Sequence, residues 1–203
     1  MGDSRKLLIA SIAGGVVGGL AASAAMNAVQ WLWAALGDGD HAPKPDPQQH
    51  KSEPDEEQSA TRKLARLAAE KVAHKQLTPE QQAKAGAAFH YAFGAAAGGL
   101  YGVACAASEN VGIARGVPFG VAVWALGDEL AVPALGLTKP VTEFPLSKHA
   151  YSLTAHLVYG YVTETVRRAV VESFASDQLT ASTHRPSASQ RAKAGEILSA
   201  VLD

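Results

Sequence analysis

A long run of uncharged residues near the start of the chain constrains its fold more than any other feature. No Asp, Glu, Lys or Arg occurs from Leu7 to Gly37, and the strongly polar side chains within it are Asn27 and Gln30. A helix of roughly 20 residues already crosses a hydrocarbon core about 30 Å thick. The run is therefore long enough to span a membrane with some tilt.

Two interpretations of this run differ in whether the mature protein keeps it. Arg5 and Lys6 precede it and small residues occupy positions 21–25, as in a secretory signal peptide. The apolar run nevertheless continues through Trp31 and Trp33, past any plausible cleavage site, and tryptophans are typical of a membrane surface. We therefore expect a retained membrane anchor, with both tryptophans at the far interface.

Three more apolar segments extend this pattern to the rest of the chain. Residues 85–107 carry no formal charge, residues 111–137 are interrupted by Arg115 and by the pair Asp128 and Glu129, and residues 146–170 contain several charges. The expected fold is all-α, an integral membrane helical bundle of three to four transmembrane helices. The expected layout is a first span in residues 1–36, a polar loop with an amphipathic surface helix in 37–82, the later membrane helices in 83–170, and a polar tail in 171–203.

The polar region after the first span combines a loop with one amphipathic helix. Four prolines and alternating charge follow Leu36 and predict an extended loop. Residues 59–77 regain helical spacing, with Leu64, Leu67 and Val72 on one face. Such a helix either lies on anionic headgroups or packs on the rest of the protein. After it, the sequence TPEQ at 78–81 predicts a capped helix start with proline in the first turn.

Glycines recur at four-residue spacing in the predicted spans. Lipid provides no hydrophobic drive between helices, so small-residue faces that allow close backbone approach favour packing. We expect these glycine faces to pack the helices tightly, and we consider self-association through the same faces. The alternative is that the faces bind a lipid or line a pathway. The pairs are Gly14 with Gly18, Gly15 with Gly19, Gly94 with Gly98, Gly98 with Gly102, Gly112 with Gly116, and Gly116 with Gly120.

The segment VWALGDELAVPALGLTKPVTEFPLSKHAYSLTAHLVYGYVTETVRR resembles the YagU-like family of uncharacterised bacterial inner-membrane proteins in the order of its parts. The resemblance implies a location in the bacterial inner membrane and a helical membrane fold, and it carries no activity. The residues that carry it are Pro133, Gly136, Leu137, Thr138, Pro140, Pro145, His156, Leu157, Val158, Tyr159, Tyr161, Glu164, Arg167 and Arg168.

Ionisable side chains inside the predicted spans are the candidate functional residues. Such groups are expensive in a bilayer, so they either hydrogen-bond across helices or mark a proton or ion pathway. We expect structural polar contacts, with proton or small-solute permeation as the alternative function. The candidate network comprises His90, Asp128, Glu129, His149, His156 and Glu164, while Trp31, Trp33, Arg167 and Arg168 are candidate interface anchors.

Several function classes are poorly supported by the sequence. His149 and His156 lie roughly 10 Å apart along a helix, too far to chelate one metal ion alone. No motif of a hydrolase or phosphate-binding loop occurs, and the net charge of -1 argues against a general nucleic-acid binder. We expect no enzyme activity and no cofactor, a lipid bilayer as partner, and a structural or accessory role. Basic residues are nearly balanced between the two sides, and those flanking the first and last spans favour cytoplasmic termini.

Overall fold

The computed structural model describes residues 2–36, 56–72 and 74–183, and this part of the chain is helical with no strand. The all-α prediction is thus confirmed for the described residues, while the predicted loop in 37–55 and most of the predicted tail lie outside them. The α-helices are α1 (Gly2–Leu36), α2 (Glu56–Val72), α3 (Pro79–Ala107), α4 (Val117–Val123), α5 (Val132–Ala134) and α6 (Leu146–Thr183). Short 3-10 segments occupy Glu109–Gly116 and Val141–Glu143, and a π-helical stretch, Trp124–Ala131, joins α4 to α5.

Helices α1 and α3 are antiparallel, and their backbones are in direct contact at glycine residues. A Cβ atom placed on Gly15 would overlap the carbonyl oxygen of Gly98, and one on Gly19 would overlap that of Gly94. The close approach expected from the glycine spacing is therefore present between these helices. Bare glycines let the two backbones gain dispersion contacts that a larger side chain would prevent.

Helix α6 packs on another face of α1 and also on α4. On α1, Gly14 and Gly18 face the backbone of α6 at Arg167 and Thr163. On α4, a Cβ at Gly120 would overlap the carbonyl oxygen of His156. These glycine faces are thus occupied within one chain, and self-association through them stays a prediction.

The segment expected as one helix over residues 111–137 is divided. Residues Ile113, Ala114 and Arg115 are non-helical, and Ala114, Arg115 and Gly116 have φ of 48°, 53° and 78°. A Cβ at Gly116 would overlap the Gly160 carbonyl oxygen, so a glycine is required where this turn meets α6. The helix proper therefore begins at Val117, and Gly136, with φ of 68°, follows its end.

The start of α3 confirms the predicted capping box. The Gln81 N–H donates to Thr78 Oγ1 at 3.3 Å, and the Thr78 N–H donates to Gln81 Oε1 at 2.9 Å. Pro79 occupies the first helical position, where its missing N–H leaves no intrahelical bond unmade. Local sequence is sufficient to place this helix start.

Helix α2 packs on the bundle through small residues and leaves its leucine face open. Ala60 and Ala65 are buried, whereas Leu64 and Leu67 remain exposed. Lys63 Nζ donates to the Leu137 carbonyl oxygen at 2.9 Å and ties α2 to the turn after α5. Helix α2 therefore packs on the rest of the protein, which is one of the two interpretations of this helix. Contact of its leucines with headgroups stays a prediction.

By length and composition, two helical stretches among the described residues could cross a membrane, Ser4–Trp33 and Asn110–Ala134, and the second contains the break at residues 113–115. They correspond to the first and third expected spans. The fourth expected span lies in α6, which continues to Thr183 rather than ending near Val170.

Candidate functional site

Glu164 is the most completely buried ionisable side chain of the candidate network, with no exposed surface. Arg167 donates to it through Nε at 2.7 Å and Nη2 at 2.9 Å, and Arg168 donates through Nε at 2.5 Å. The three residues are three and four apart on α6, the spacing that places side chains side by side on a helix. A buried carboxylate requires such charge-assisted hydrogen bonds to persist.

The two arginines connect Glu164 to other parts of the bundle. Arg167 Nη1 donates to Ser11 Oγ at 3.1 Å, and that hydroxyl donates to the Gly102 carbonyl oxygen at 2.8 Å. Arg168 Nη2 donates to the Gly112 carbonyl oxygen at 2.8 Å. We call Ser11, Glu164, Arg167 and Arg168 the basal cluster. It joins α1, α3, the 3-10 segment before α4 and α6.

The anchoring role of the two arginines stays a prediction, and the structure gives both of them contacts inside the bundle. The Arg167 side chain is 12% exposed, while that of Arg168 is about half exposed. Ser11 was not predicted to take part, because nothing in its local sequence points to a partner so distant along the chain.

A second group of candidate residues lies between the π-helical stretch and α6. Ser152 Oγ donates to Asp128 Oδ2 at 2.5 Å, and His156 Nδ1 lies 3.6 Å from the same oxygen. Nδ1 also lies 2.9 Å from the Ser152 carbonyl oxygen, which can only accept, so this nitrogen carries a proton. We call Asp128, Ser152 and His156 the central cluster.

His90, on α3, extends the central cluster towards α1. Its Nε2 is buried and has no hydrogen-bond partner in the described part of the chain. The ring packs edge-on against Tyr91 with 5.7 Å between ring centroids, and it lines the same cavity as Asp128 and His156. Sequence predicted that these residues share a network, and the structure brings them to the same region of the bundle.

Glu129 and His149 form a separate pair at the end of the bundle near α2. His149 Nδ1 lies 2.7 Å from Glu129 Oε1, and Nε2 lies 3.2 Å from the Val141 carbonyl oxygen. Both partner atoms are oxygens that accept hydrogen bonds, so the His149 ring bridges the Glu129 carboxylate and the backbone at Val141.

The π-helical stretch presents Asp128 and Glu129 to α6 together. The Val132 N–H donates to the Gly127 carbonyl oxygen, five residues earlier, and Pro133 has no N–H for the Glu129 carbonyl oxygen. A π-helical turn is frequent where a helix carries functional groups. Here the widened turn lets one carboxylate reach the central cluster while its neighbour reaches His149.

The basal and central clusters are not joined along α6. Glu164 lies two helical turns, about 12 Å, beyond His156. Between them is Gly160, where a Cβ would overlap the Gly116 carbonyl oxygen and lie 2.7 Å from the Gly120 nitrogen. The predicted stripe is thus divided by backbone packed on backbone. Within the described ranges, no group of three or more His, Cys, Asp or Glu side chains is arranged to hold a metal ion.

The central cluster does not have the geometry of a nucleophilic triad. Ser152 donates its hydroxyl proton to a carboxylate rather than to an imidazole nitrogen. An activated serine requires hydrogen bonding to the base that removes its proton.

The predicted aromatic anchors occupy the opposite end of α1 from the basal cluster. Trp33 packs edge-on against Tyr151 of α6, with 5.5 Å between ring centroids. Trp31 is 59% exposed and lines a cleft between α3 and α4.

This cleft is a cavity of about 1390 Å³ that opens between α3 and the helical segment 117–134. The stacked rings of Tyr101 and Phe119, whose centroids lie 4.2 Å apart, join α3 to α4 near the lower end of the cleft, which is the end closer to the basal cluster. Its inner wall includes His90, Asp128 and His156. Its mouth is lined by large, exposed apolar side chains, which are Phe93, Leu100 and Leu126.

The chain matches the family DUF1440, described as a protein of unknown function, over residues 37–165. The matched range includes every residue of the candidate polar network and ends before Arg167 and Arg168. No curated protein and no solved structure matches the chain.

Proposed function

From the premise that the chain belongs to DUF1440, a family of unknown function, we propose that it is a multi-pass protein of the bacterial inner membrane with a structural or accessory role. In this proposal α1, α3, residues 110–134 and α6 all cross the bilayer, and lipid is the partner. The resemblance to the YagU-like family favours the same location.

One observation supports the proposal most strongly, which is the distance along α1 between the polar end and the aromatic end of the bundle. Ser11, which belongs to the basal cluster, and Trp31, at the aromatic end, lie on the same helix. Twenty residues of α-helix separate them, which corresponds to about 30 Å. That distance equals the thickness of a bilayer's hydrocarbon core, so both ends would lie at its surfaces.

The outer surface of the bundle supports the same placement. Leu100 is 72% exposed, and Phe93, Leu126 and Leu130 are also largely exposed. Soluble proteins rarely leave large apolar side chains open in contiguous patches. A bilayer would cover these side chains with acyl chains.

The polar clusters are better suited to holding helices together than to conducting protons. Glu164 has its hydrogen-bond partners within the bundle, and packed backbone at Gly160 separates it from His156. A conduit requires a connected, wetted path through the membrane. We therefore favour the structural role over permeation.

The arrangement of the helix ends favours termini on one side. The contacts of Ser11 with Gly102 and of Arg168 with Gly112 place the start of α1, the end of α3 and the lower part of α6 together. Lys63 and Leu137 meet at the opposite end. With basic residues flanking the first and last spans, we place the first end in the cytoplasm.

Site-directed labelling tests this topology. In a C105A background, single cysteines are introduced at exposed positions of each end by the substitutions S4C, D177C, K75C and E143C. Spheroplasts are then treated with a membrane-impermeant maleimide before and after lysis, and L100C serves as a lipid-facing control. We expect K75C and E143C to react in intact spheroplasts, S4C and D177C only after lysis, and L100C in neither case.

Two results would overturn the proposal. One is release of the protein from membranes by alkaline carbonate, and the other is equal labelling of all four end positions before lysis. Reversed labelling of the two ends would correct the orientation and leave the spans in place.

A further inference from the structure

The cleft between α3 and the segment 117–134 is amphipathic along its length. Its lower part is lined by Tyr101, Phe119 and Leu100, which present mainly aromatic and aliphatic carbon, and the Tyr101 hydroxyl is buried. Its upper part contains the carboxylates of Asp128 and Glu129. An occupant would therefore meet carbon at one end and anionic oxygen at the other.

The two carboxylates are accessible from the cleft. The side chains of Asp128 and Glu129 are 25% and 23% exposed, in contrast to the buried Glu164 carboxylate of the basal cluster. A carboxylate can accept about four hydrogen bonds, and the contacts with Ser152 and His149 leave acceptor positions open. These open positions favour a ligand group that donates hydrogen bonds and carries positive charge.

The cleft is larger than most small-ligand pockets, which leaves room for a chain-like molecule. Pockets for small ligands usually measure roughly 300–1,000 Å³, and this cavity of about 1390 Å³ exceeds them. It runs from Ala104 and Val111 at the lower end to Trp31 and Lys148 at the upper end. Its side opening is bordered by exposed apolar side chains, so a molecule could enter from an apolar phase.

We propose that this cleft binds one amphiphile that has an alkyl chain and an ammonium head. The chain lies along Leu100, Tyr101 and Phe119, and the head donates hydrogen bonds to Asp128 and Glu129. The proposal rests on the proposed membrane location, since a bilayer supplies the amphiphile through the side opening.

An anionic head is disfavoured at this position. It would face two carboxylates, and like charges in a partly desolvated site repel strongly. Basic residues do line the cleft, but Lys148 lies over the Phe144 ring at 4.4 Å and Arg62 packs on Gly86 of α3. Asp128 itself belongs to the central cluster on the inner wall of the cleft, so an anionic head would meet its carboxylate there.

Tryptophan quenching in nanodiscs of zwitterionic phosphocholine lipid tests the proposal. The chain has three tryptophans, so W33F/W124F leaves Trp31 in the cleft wall as the reporter. The matched control, W31F/W124F, leaves Trp33, which is two residues away at similar depth and packs on Tyr151. The probes are long-chain alkylamine and alkyl carboxylate, each brominated near the head.

We expect the alkylamine to quench Trp31 saturably and Trp33 only as far as bulk lipid would. The carboxylate probe should bind about tenfold more weakly, and the combined D128N/E129Q change should remove that preference. A second variant, L126F, narrows the mouth without altering the polar groups and should weaken binding of both probes. Circular dichroism verifies that each variant is folded.

The outcomes separate this proposal from the proposed function. Equal, non-saturable quenching of Trp31 and Trp33 would overturn the cleft site while leaving the membrane placement intact. Equal binding of both probes, unchanged in D128N/E129Q, would overturn the ammonium specificity. Failure of the protein to incorporate into nanodiscs would overturn the proposed function itself.

Discussion

The basal cluster and the central cluster use similar residue types in opposite ways. Glu164 is closed to solvent and bound by two arginines, whereas Asp128 shares one oxygen with Ser152 and His156 and remains partly open to a cleft. The difference arises from packing, because the backbones of Gly112 and Gly116 lie against Glu164, whereas Asp128 lines the cleft beside α3. Burial thus distinguishes a residue that holds the bundle together from one that is accessible to a ligand.

The largest effect should come from removing the basal carboxylate. E164A leaves Arg167, which is mostly buried, without its anionic partner, and breaking such a buried pair costs about 3–5 kcal/mol. The free energy of unfolding in detergent micelles, followed by circular dichroism, measures the change. The control E80A removes an exposed acid on α3 and should alter stability by no more than about 0.5 kcal/mol. Similar losses in both variants would contradict the structural role of the basal cluster.

The next largest effect should come from adding a methyl group where the glycine backbones of α1 and α3 meet. In G98A the new methyl group would overlap the Gly15 carbonyl oxygen and force α1 from α3, a loss of about 1–3 kcal/mol. A methyl group added at Gly127 would meet no atom within 4 Å in the described part of the chain, so G127A should be neutral or slightly stabilising. Thermal unfolding of the two variants side by side measures the contrast. Equal midpoints would show that the α1–α3 contact is loose enough to accept a methyl group.

The hydrogen bond within the central cluster should have a smaller effect. S152A removes the donor to Asp128 and should cost about 1–2 kcal/mol, less than E164A because the carboxylate remains partly solvated. S173A makes the same change on α6 at an exposed serine bonded to its own helix, where little effect is expected. Denaturant unfolding of both variants provides the measurement. A loss in S152A as large as that in E164A would place Asp128 in a closed site.

The smallest effect should come from Tyr159, a side chain in the wall of the cleft that links α6 to α3. Tyr159 donates its hydroxyl proton to the Gly94 carbonyl oxygen at 2.7 Å, so Y159F should lose about 1 kcal/mol. Y161F, at a more exposed tyrosine of the same helix, is the control and should be unchanged. The two melting temperatures decide the matter, and a shift confined to Y161F would be inconsistent with this contact.

Local features of the fold were accessible from the sequence. The capping box at Thr78 and the uncharged run of α1 each depend on residues within a few turns of one another, and both are found as expected. The break before α4 was missed, because the need for glycine at Gly116 arises from its contact with Gly160 in a distant helix. A segment's own periodicity does not contain that information.

The candidate network was only partly predictable for the same reason. Helical spacing correctly places Glu164 beside Arg168, since four residues make about one turn. It could not show that Ser11 completes the basal cluster or that Gly160 divides the stripe into two. These relations depend on the register between helices, which is set by contacts of glycine backbones across the bundle.

The sequence by itself determined that the described chain is helical, where its longest apolar helix lies and which ionisable groups interrupt the apolar segments. Tertiary structure alone decided that Glu164 is enclosed and fully paired while Asp128 borders a cleft. The physical reason is that helix formation follows from hydrogen bonds and side-chain patterns within a few residues. The exposure of a charge instead depends on how closely separate helices approach, which local sequence does not fix.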